Sequence, residues 1–542
     1  MQMQVTRRTI FLIIWLCSLL GWLLSGCRYV QLPVSPTSAS STIPAALLPA
    51  ATQELKTTPT ASVVGKPVQI EEQQLALLVE YRKDLDNLQV STHYQIEINI
   101  YYDDLTFEGL AFIDYSNNET VPLKQVYFRL FPNGHKAYGN GSLVVTEASV
   151  DGQPAESRLS QSDTILEIRL PDQLNPGQHA RFELTFRGQV PQDFGGAGTP
   201  TGYGIYNYSE GVMALSGWYP ILAVYDEDGW NLDPISEIGD SVYSDIALYT
   251  VDLTVDRELL LAATGVIVGR SEEQESTRYR LVSGPVRDFF LVLSPDFREA
   301  SLDVDGTLVR SFYLPEHEEG GNHALTVARD SLAIFNKLFG AYPYTELEVV
   351  EAPMQYALGV EYPGIFLVTS ASYGDPADTG FAATIAHETA HQWWYNLVGN
   401  DVFDDPWLDE ALATYSTSLY YQEVFGPAGY RGYSDYLQGR YEELLEDGKD
   451  EVVTLSLSAF EELKDPRIYS RVVYVKGALF LKSLRESIGD QAFFTSLQNY
   501  FGNQKYRVAQ PEDLLSEFEA AAGHPLDIIF QQWLYSKTTQ KP

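Results

Sequence analysis

His387, Glu388 and His391 stand in the pattern His-Glu-x-x-His, inside Thr384-Ile-Ala-His-Glu-Thr-Ala-His-Gln-Trp-Trp394. On an α-helix a step of four residues returns to nearly the same face, so the two imidazoles project together, one turn apart. Imidazoles so placed bind one divalent metal ion, with Glu388 beside them to act on a water. A hydrolytic Zn²⁺ takes three protein ligands and keeps one position open. Glu410 offers the third, in Asp405-Pro-Trp-Leu-Asp-Glu-Ala-Leu-Ala-Thr-Tyr415, with eighteen residues between it and His391. Turn formers in Val398-Gly-Asn-Asp-Val-Phe-Asp-Asp405 end one helix, and Pro406 suits the first turn of the next. The chain holds eight histidines. A chance His-Glu-x-x-His is then expected on the order of once in a hundred such chains. Two merely solvated or packed histidines are the plain alternative, and a carboxylate on a second helix at a workable spacing argues against it.

A chain of 542 residues needs more than one core. From His93 to about Tyr313 apolar residues alternate with polar ones: Ile96, Ile98, Ile100; Val126, Phe128, Leu130; Leu166, Ile168, Leu170; Phe182, Leu184, Phe186. Turn formers such as Asp151-Gly152, Asn175-Pro-Gly177 and Asp305-Gly306 punctuate these runs. The pattern predicts a large antiparallel β domain, a curved sandwich. A short helix is expected over Glu71–Leu88. Helical period begins near Asn322, with Leu325, Ala328, Leu332, Phe335 and Leu338 on one face. A strand at Glu346–Val350 and an edge strand at Gly359–Leu367 follow, then the two metal helices. Further helices are expected at Ala428–Leu444, Arg471–Ser487, Gln491–Phe501, Pro511–Ala522 and Leu526–Leu534. The expected organisation is a leader at 1–26, a disordered tether at 27–70, a β domain at 71–313 and a mainly helical α/β domain at 314–542.

The leader reading rests on Arg7-Arg8, the apolar run from Ile10 to Leu24, and the ending Leu24-Ser-Gly-Cys27. A basic start, a short apolar segment and small residues mark a secretory signal. The ending resembles a bacterial lipobox, which makes Cys27 the expected lipidated first residue and the cell membrane, on its outer side, the expected location. An uncleaved anchor is the alternative, but the run is short for a full span. Residues 31–66 are rich in Pro, Ser, Thr and Ala and contain no aromatic, as in a flexible tether. The only other cysteine, Cys17, lies in the leader, so the mature chain forms no internal disulfide. The formal charge of −37 argues against nucleic acid as a partner, since phosphate binding needs a basic face.

The motif region resembles the gluzincin zinc aminopeptidases of the aminopeptidase N type. The resemblance is carried by His387-Glu-Thr-Ala-His-Gln-Trp-Trp394 with Trp407-Leu-Asp-Glu-Ala-Leu-Ala-Thr-Tyr415. It is supported by Ala341-Tyr-Pro-Tyr344, Gly359-Val-Glu-Tyr-Pro-Gly364 and Tyr469-Ser-Arg-Val-Val-Tyr-Val-Lys-Gly477. It implies a β-sandwich-like domain followed by a thermolysin-like catalytic domain. It implies one Zn²⁺ on His387, His391 and Glu410, Glu388 as general base, and Tyr474 as donor to the oxyanion. It implies that Glu361 holds the free α-amine of a peptide substrate while the backbone of Gly359 and Val360 pairs with it. Asp409 and Glu423 are candidate outer partners of the metal site, Tyr469 a packing neighbour, and Glu210 a loose candidate for a second amine contact. The family's Gly-Ala-Met-Glu-Asn reads Gly359-Val-Glu-Tyr362 here after Leu358, which changes the residues beside the kept glutamate.

Three readings follow. The first is an aminopeptidase acting on peptides with a free N-terminus. The second is a zinc endopeptidase, or an enzyme for an unusual amine-bearing substrate. The third is a surface lipoprotein that binds a partner and holds zinc only structurally.

Overall fold

The computed structural model describes residues 70–538, apart from 89–90, 196–201, 240–241, 257–258 and 274–275. The expected leader, Cys27 and nearly all of the expected tether lie outside the described residues. Among the described residues no helix is long and apolar enough to cross a membrane.

The period-two runs form strands. In β1 (Thr92–Tyr101) Ile96, Ile98 and Ile100 are buried while Glu97 and Asn99 face water. This is the two-sided pattern of a strand with one covered face. β1 pairs antiparallel with β2 (Thr106–Ser116) and, on its other edge, parallel with β3 (Ala247–Val255). The central eight-stranded sheet is therefore mixed, not purely antiparallel as the sequence suggested. A parallel pair needs a long crossover, and the whole excursion between β2 and β3 supplies one.

β4 (Arg298–Val304) and β5 (Thr307–Tyr313) form a hairpin through Asp305 (φ 53°) and Gly306 (φ 92°), two successive left-handed residues. β5 then pairs in parallel with β6 (Glu346–Ala352), so strands on either side of position 314 share one five-stranded sheet. The stretch expected as a single edge strand is a hairpin of β7 (Gly359–Tyr362) and β8 (Ile365–Thr369). Pro363 and Gly364, the latter at φ 75°, supply the two-residue turn that reverses it. β7 lies at one edge of this sheet and β4 at the other.

Helix α1 (Glu318–Leu338) buries Leu325, Ala328, Leu332 and Phe335. Helix α2 (Thr379–Ala390) begins where the Asp378 carboxylate accepts from the Gly380 amide at 2.9 Å. Helix α3 (Trp407–Glu446) is broken at Gly426 (φ 69°) ahead of Pro427, which is why its second half reads as a separate helix in the sequence. Helix α4 (Gly477–Ile488) is preceded by a π-helical stretch, Ser470–Lys476, where period alone predicted continuous α-helix. Helices α5 (Asp490–Gln504), α6 (Pro511–Ala522) and α7 (Asp527–Trp533) follow. The helix expected over 71–88 is two 3₁₀ segments, Gln73–Ala76 and Val79–Asn87. Leu77 between them is extended and bridges to Tyr344, which interrupts the helical ladder.

One buried side chain ties the segment ahead of β3 to the turn that follows α2. The Arg287 guanidinium donates to the carbonyls of Ser244 (3.0 Å), Tyr395 (2.6 Å) and Arg507 (2.5 Å). Gly399 passes so close that a Cβ there would stand 2.1 Å from the guanidinium carbon. Replacing Arg287 by Leu strands three carbonyls and is expected to cost about 3–5 kcal/mol of stability. Chemical denaturation of the variant against the unaltered chain measures it.

Candidate active site

Helix α2 ends at the second histidine. His391 caps the helix, and the chain turns sharply through Trp394 and Tyr395. That turn has a chemical consequence: His391 Nδ1 donates to the Trp394 carbonyl at 2.9 Å. The bond fixes the tautomer and leaves the Nε2 lone pair facing His387. The two Nε2 atoms lie 3.1 Å apart. Glu410, in the first turn of α3, places Oε2 at 3.2 Å from His387 Nε2 and 3.4 Å from His391 Nε2. These three residues form one of two groups of potential metal ligands among the described residues; the other, Glu361, His391 and Asp409, shares His391.

Gly477, at the start of α4, allows the close approach that completes this corner. A Cβ there would meet the Ala411 Cβ at 2.6 Å, so the segment carrying Tyr474 lies directly against α3 beside Glu410. Tyr474 donates its hydroxyl to Glu410 Oε1, and its ring stacks on His387 with centroids 5.8 Å apart at 18°. Tyr469, expected as a packing or outer neighbour of the site, is buried edge-on against Tyr474 with centroids 5.8 Å apart.

Glu388 faces the edge strand. A Cβ at Gly359 would stand 2.3 Å from Glu388 Oε1, so only glycine leaves room for this carboxylate. Glu388 is buried and its Oε2 has no hydrogen-bond partner. Burial pushes the Glu388 carboxyl up to about 8, the neighbouring Glu410 adding to the rise. Glu361, two residues along β7 from Gly359, is also buried, with Oε1 at 3.9 Å from His391 Nδ1. Burial acts to raise the Glu410 carboxyl too, but the His387 and His391 imidazoles set against it hold it down at about 2. Asp409 is pushed up to about 8 by burial and by Glu410, and it accepts from the Glu410 amide at 2.7 Å. His387, Gly359, Val360 and Tyr474 are only partly buried, and they form the accessible side of the site.

The donor set fits a divalent metal ion of the zinc type. Two imidazole nitrogens and one carboxylate oxygen converge, and one histidine is oriented from behind. His387, His391 and Glu410 would hold the ion.

Two expected outer residues fall elsewhere. Glu423 is exposed and pairs with Lys337 at 3.4 Å. Glu210 is an exposed residue at φ 50° in the turn between the strands Tyr206–Ser209 and Val212–Leu215. Conversely, Gln392 was passed over. Its buried amide accepts from the Gly364 amide at 2.8 Å and donates to the Tyr362 carbonyl at 2.9 Å, fastening the β7–β8 turn to the metal helix. Its place next to His391, on a stretch otherwise apolar, was the available signal.

Residues 323–533 match the Peptidase family M1 domain, and the site residues just described from Glu361 to Gly477 lie inside the match. Aminopeptidase 2 of Candida albicans is 23% identical over 479 residues, covering 81% of this chain and 46% of that protein. Aminopeptidase M1 of Arabidopsis thaliana is 26% identical over 306 residues, covering 54% of this chain and 34% of that protein. The chain thus spans less than half the length of these two relatives. An M1 zinc metallopeptidase from Deinococcus radiodurans shares the fold, with a TM-score of 0.63 at 21% identity over 84% of this chain and 95% of that one. A two-domain M1 zinc metallopeptidase bound to L-tryptophan gives 0.61 at 22% identity, over 83% and 96%.

Replacing Gln392 by Leu leaves the Gly364 amide and the Tyr362 carbonyl without partners, at an expected cost of about 1–3 kcal/mol. Hydrogen exchange should report it first in the β7–β8 hairpin, with α3 protected as before.

Proposed function

We propose that the protein is a zinc-dependent aminopeptidase that removes N-terminal residues from peptides. The observation that carries this is the placement of two further carboxylates around the His387–His391–Glu410 triangle. Glu388 stands beside the triangle without ligating, and Glu361 stands on an edge strand. When bound, Zn²⁺ supplies Lewis acidity that polarises the scissile carbonyl and favours ionisation of water. Glu388 takes the proton of the attacking water and returns it to the leaving amine. Its room is kept by Gly359, and a carboxyl raised by burial is a stronger base than a solvated one. Tyr474 donates its hydroxyl to the oxygen that gains negative charge, an interaction worth about 3–4 kcal/mol of barrier. Glu361 accepts hydrogen bonds from the substrate ammonium, so a free N-terminus is preferred over an internal peptide bond. The outer edge of β7 offers Gly359 and Val360 main-chain groups to an extended substrate, which adds as a further strand.

The bound amino acid or peptide in solved M1 metallopeptidases agrees with this reading: L-tryptophan, L-arginine and Tyr-Ser-Ala are held there. We also propose that the protein is a lipoprotein anchored to the outer side of the cell membrane through Cys27, on the strength of Leu24-Ser-Gly-Cys27. Cys27→Ala should release it from the membrane fraction; unchanged partition into detergent would refute the anchor.

The deciding assay compares free-amine and N-acetylated aminoacyl fluorophores, with and without a zinc chelator. Chelator-sensitive cleavage confined to free amines is expected. Cleavage of acetylated substrates as well would make it an endopeptidase, and one equivalent of bound zinc with no turnover would make the metal structural. Glu388→Gln is expected to keep zinc and lose roughly 10³-fold in kcat. Glu361→Ala is expected to keep zinc and raise KM for free-amine substrates, so that their advantage over acetylated ones disappears.

A further inference from the structure

The π-helical stretch that carries Tyr474 ends in a charged side chain with no exposure at all. Lys476 Nζ is fully buried and meets both oxygens of Asp450, at 3.1 and 3.0 Å. It also donates to the carbonyls of Glu451 (2.7 Å) and Ser536 (2.9 Å). Asp450 is saturated in turn: it accepts from the Tyr441 hydroxyl at 3.1 Å and the Thr538 amide at 2.6 Å. A buried ion pair of this kind adds little net stability over a well-packed apolar pair; what it supplies is one defined geometry. Here that geometry joins three pieces of chain, namely the π-helical stretch, the loop after α3, and the segment after α7.

We propose that Lys476 is a positioning residue for Tyr474, with Asp450 as its fixed partner. Lys476 and Tyr474 are two residues apart, roughly half a turn, so they leave the helix on opposite sides. Tyr474 faces Glu410 and His387, while Lys476 faces the Asp450 anchor. A π-helical turn is a rare conformation, held only where its surroundings demand it. Relaxation of Ser470–Lys476 to α-helix would rotate Tyr474 relative to Glu410, because each residue would then turn through a different angle. The anchor behind the helix opposes that rotation. The assignment rests on the aminopeptidase reading for the role of Tyr474, and on the packing alone for the order it imposes.

The test uses the full zinc-loaded chain with Lys476→Met, Tyr474→Phe, the double variant, and Asp450→Asn, which keeps the shape of the carboxylate. Lys476→Met is expected to retain zinc and near-normal KM while losing roughly 10²-fold in kcat. Tyr474→Phe should lose a similar factor, and the double variant should lose no more than Tyr474→Phe, since Lys476 acts through that hydroxyl. Independently of turnover, the 470–476 amides should exchange at least about tenfold faster in Lys476→Met, with α2 and α3 unchanged. Multiplying losses in the double variant, or unaltered exchange over 470–476, would overturn the proposal. If Lys476→Met does not fold, Asp450→Asn is read by the same measurements; if neither folds with zinc, the pair is a structural brace and the assignment fails. An unaltered chain with no turnover counts against the peptidase reading alone, and the exchange rates then decide the role of Lys476.

Discussion

Three glutamates and two imidazoles are packed around one point, and the elements around them are arranged to hold them there. Glu361, Glu388 and Glu410 are each less than a tenth exposed. Taking such charges out of water costs several kcal/mol apiece unless a cation and fixed donors offset it. A divalent ion is the largest charge the site can receive, and it reverses the local balance from repulsion to attraction. Before it binds, the protein must keep like charges together. That requires rigid elements on every side, because a flexible site would relieve the repulsion by moving apart.

The rigidity comes from backbone brought unusually close to side chains. Gly359 lets the edge strand lie against Glu388, and Gly477 lets the tyrosine segment lie against α3 at Ala411. Gln392, the residue after the second histidine, bonds to the β7–β8 turn, and Arg287 bonds the turn beyond it to the segment ahead of β3. The Trp394 carbonyl, held in that same turn, orients His391. The supports are therefore polar and directional as well as apolar. An apolar contact tolerates sliding, whereas a buried amide with two partners does not.

The candidate metal ligands His387, His391 and Glu410 were legible in the sequence because they obey a local period and a short helix-to-helix spacing. So were β1 and α1, whose apolar faces repeat at 2.0 and 3.6 residues. The features that escaped depend on partners far away in the chain. The parallel pairing of β1 with β3 is set by a crossover of more than a hundred residues, and no local pattern records it. The π-helical stretch at 470–476 has the same apolar spacing as an α-helix and is selected by tertiary contacts. Glu423 and Glu210 had only their residue type as a signal, and both are exposed. Pro363-Gly364 was a readable turn signal, and a single edge strand could not accommodate it.

The edge strand β7 fixes the spacing between two carboxylates of the site. Side chains alternate along a strand, so Gly359 and Glu361 share one face, roughly 6.6–6.8 Å apart, and Val360 takes the other. On that shared face the glycine meets Glu388 and the glutamate approaches His391. The strand thus carries the proposed amine anchor at a fixed distance from the proposed base. In the aminopeptidase reading, a peptide whose ammonium sits on Glu361 has its first carbonyl only two bonds farther on. The next peptide bond lies a residue beyond, about 3.3 Å or more along an extended chain. A rigid strand tied to the metal helix by Gln392 cannot shift to reach it. In that reading, restriction to the first bond would follow from strand geometry and one buried amide, without a wall to exclude longer substrates.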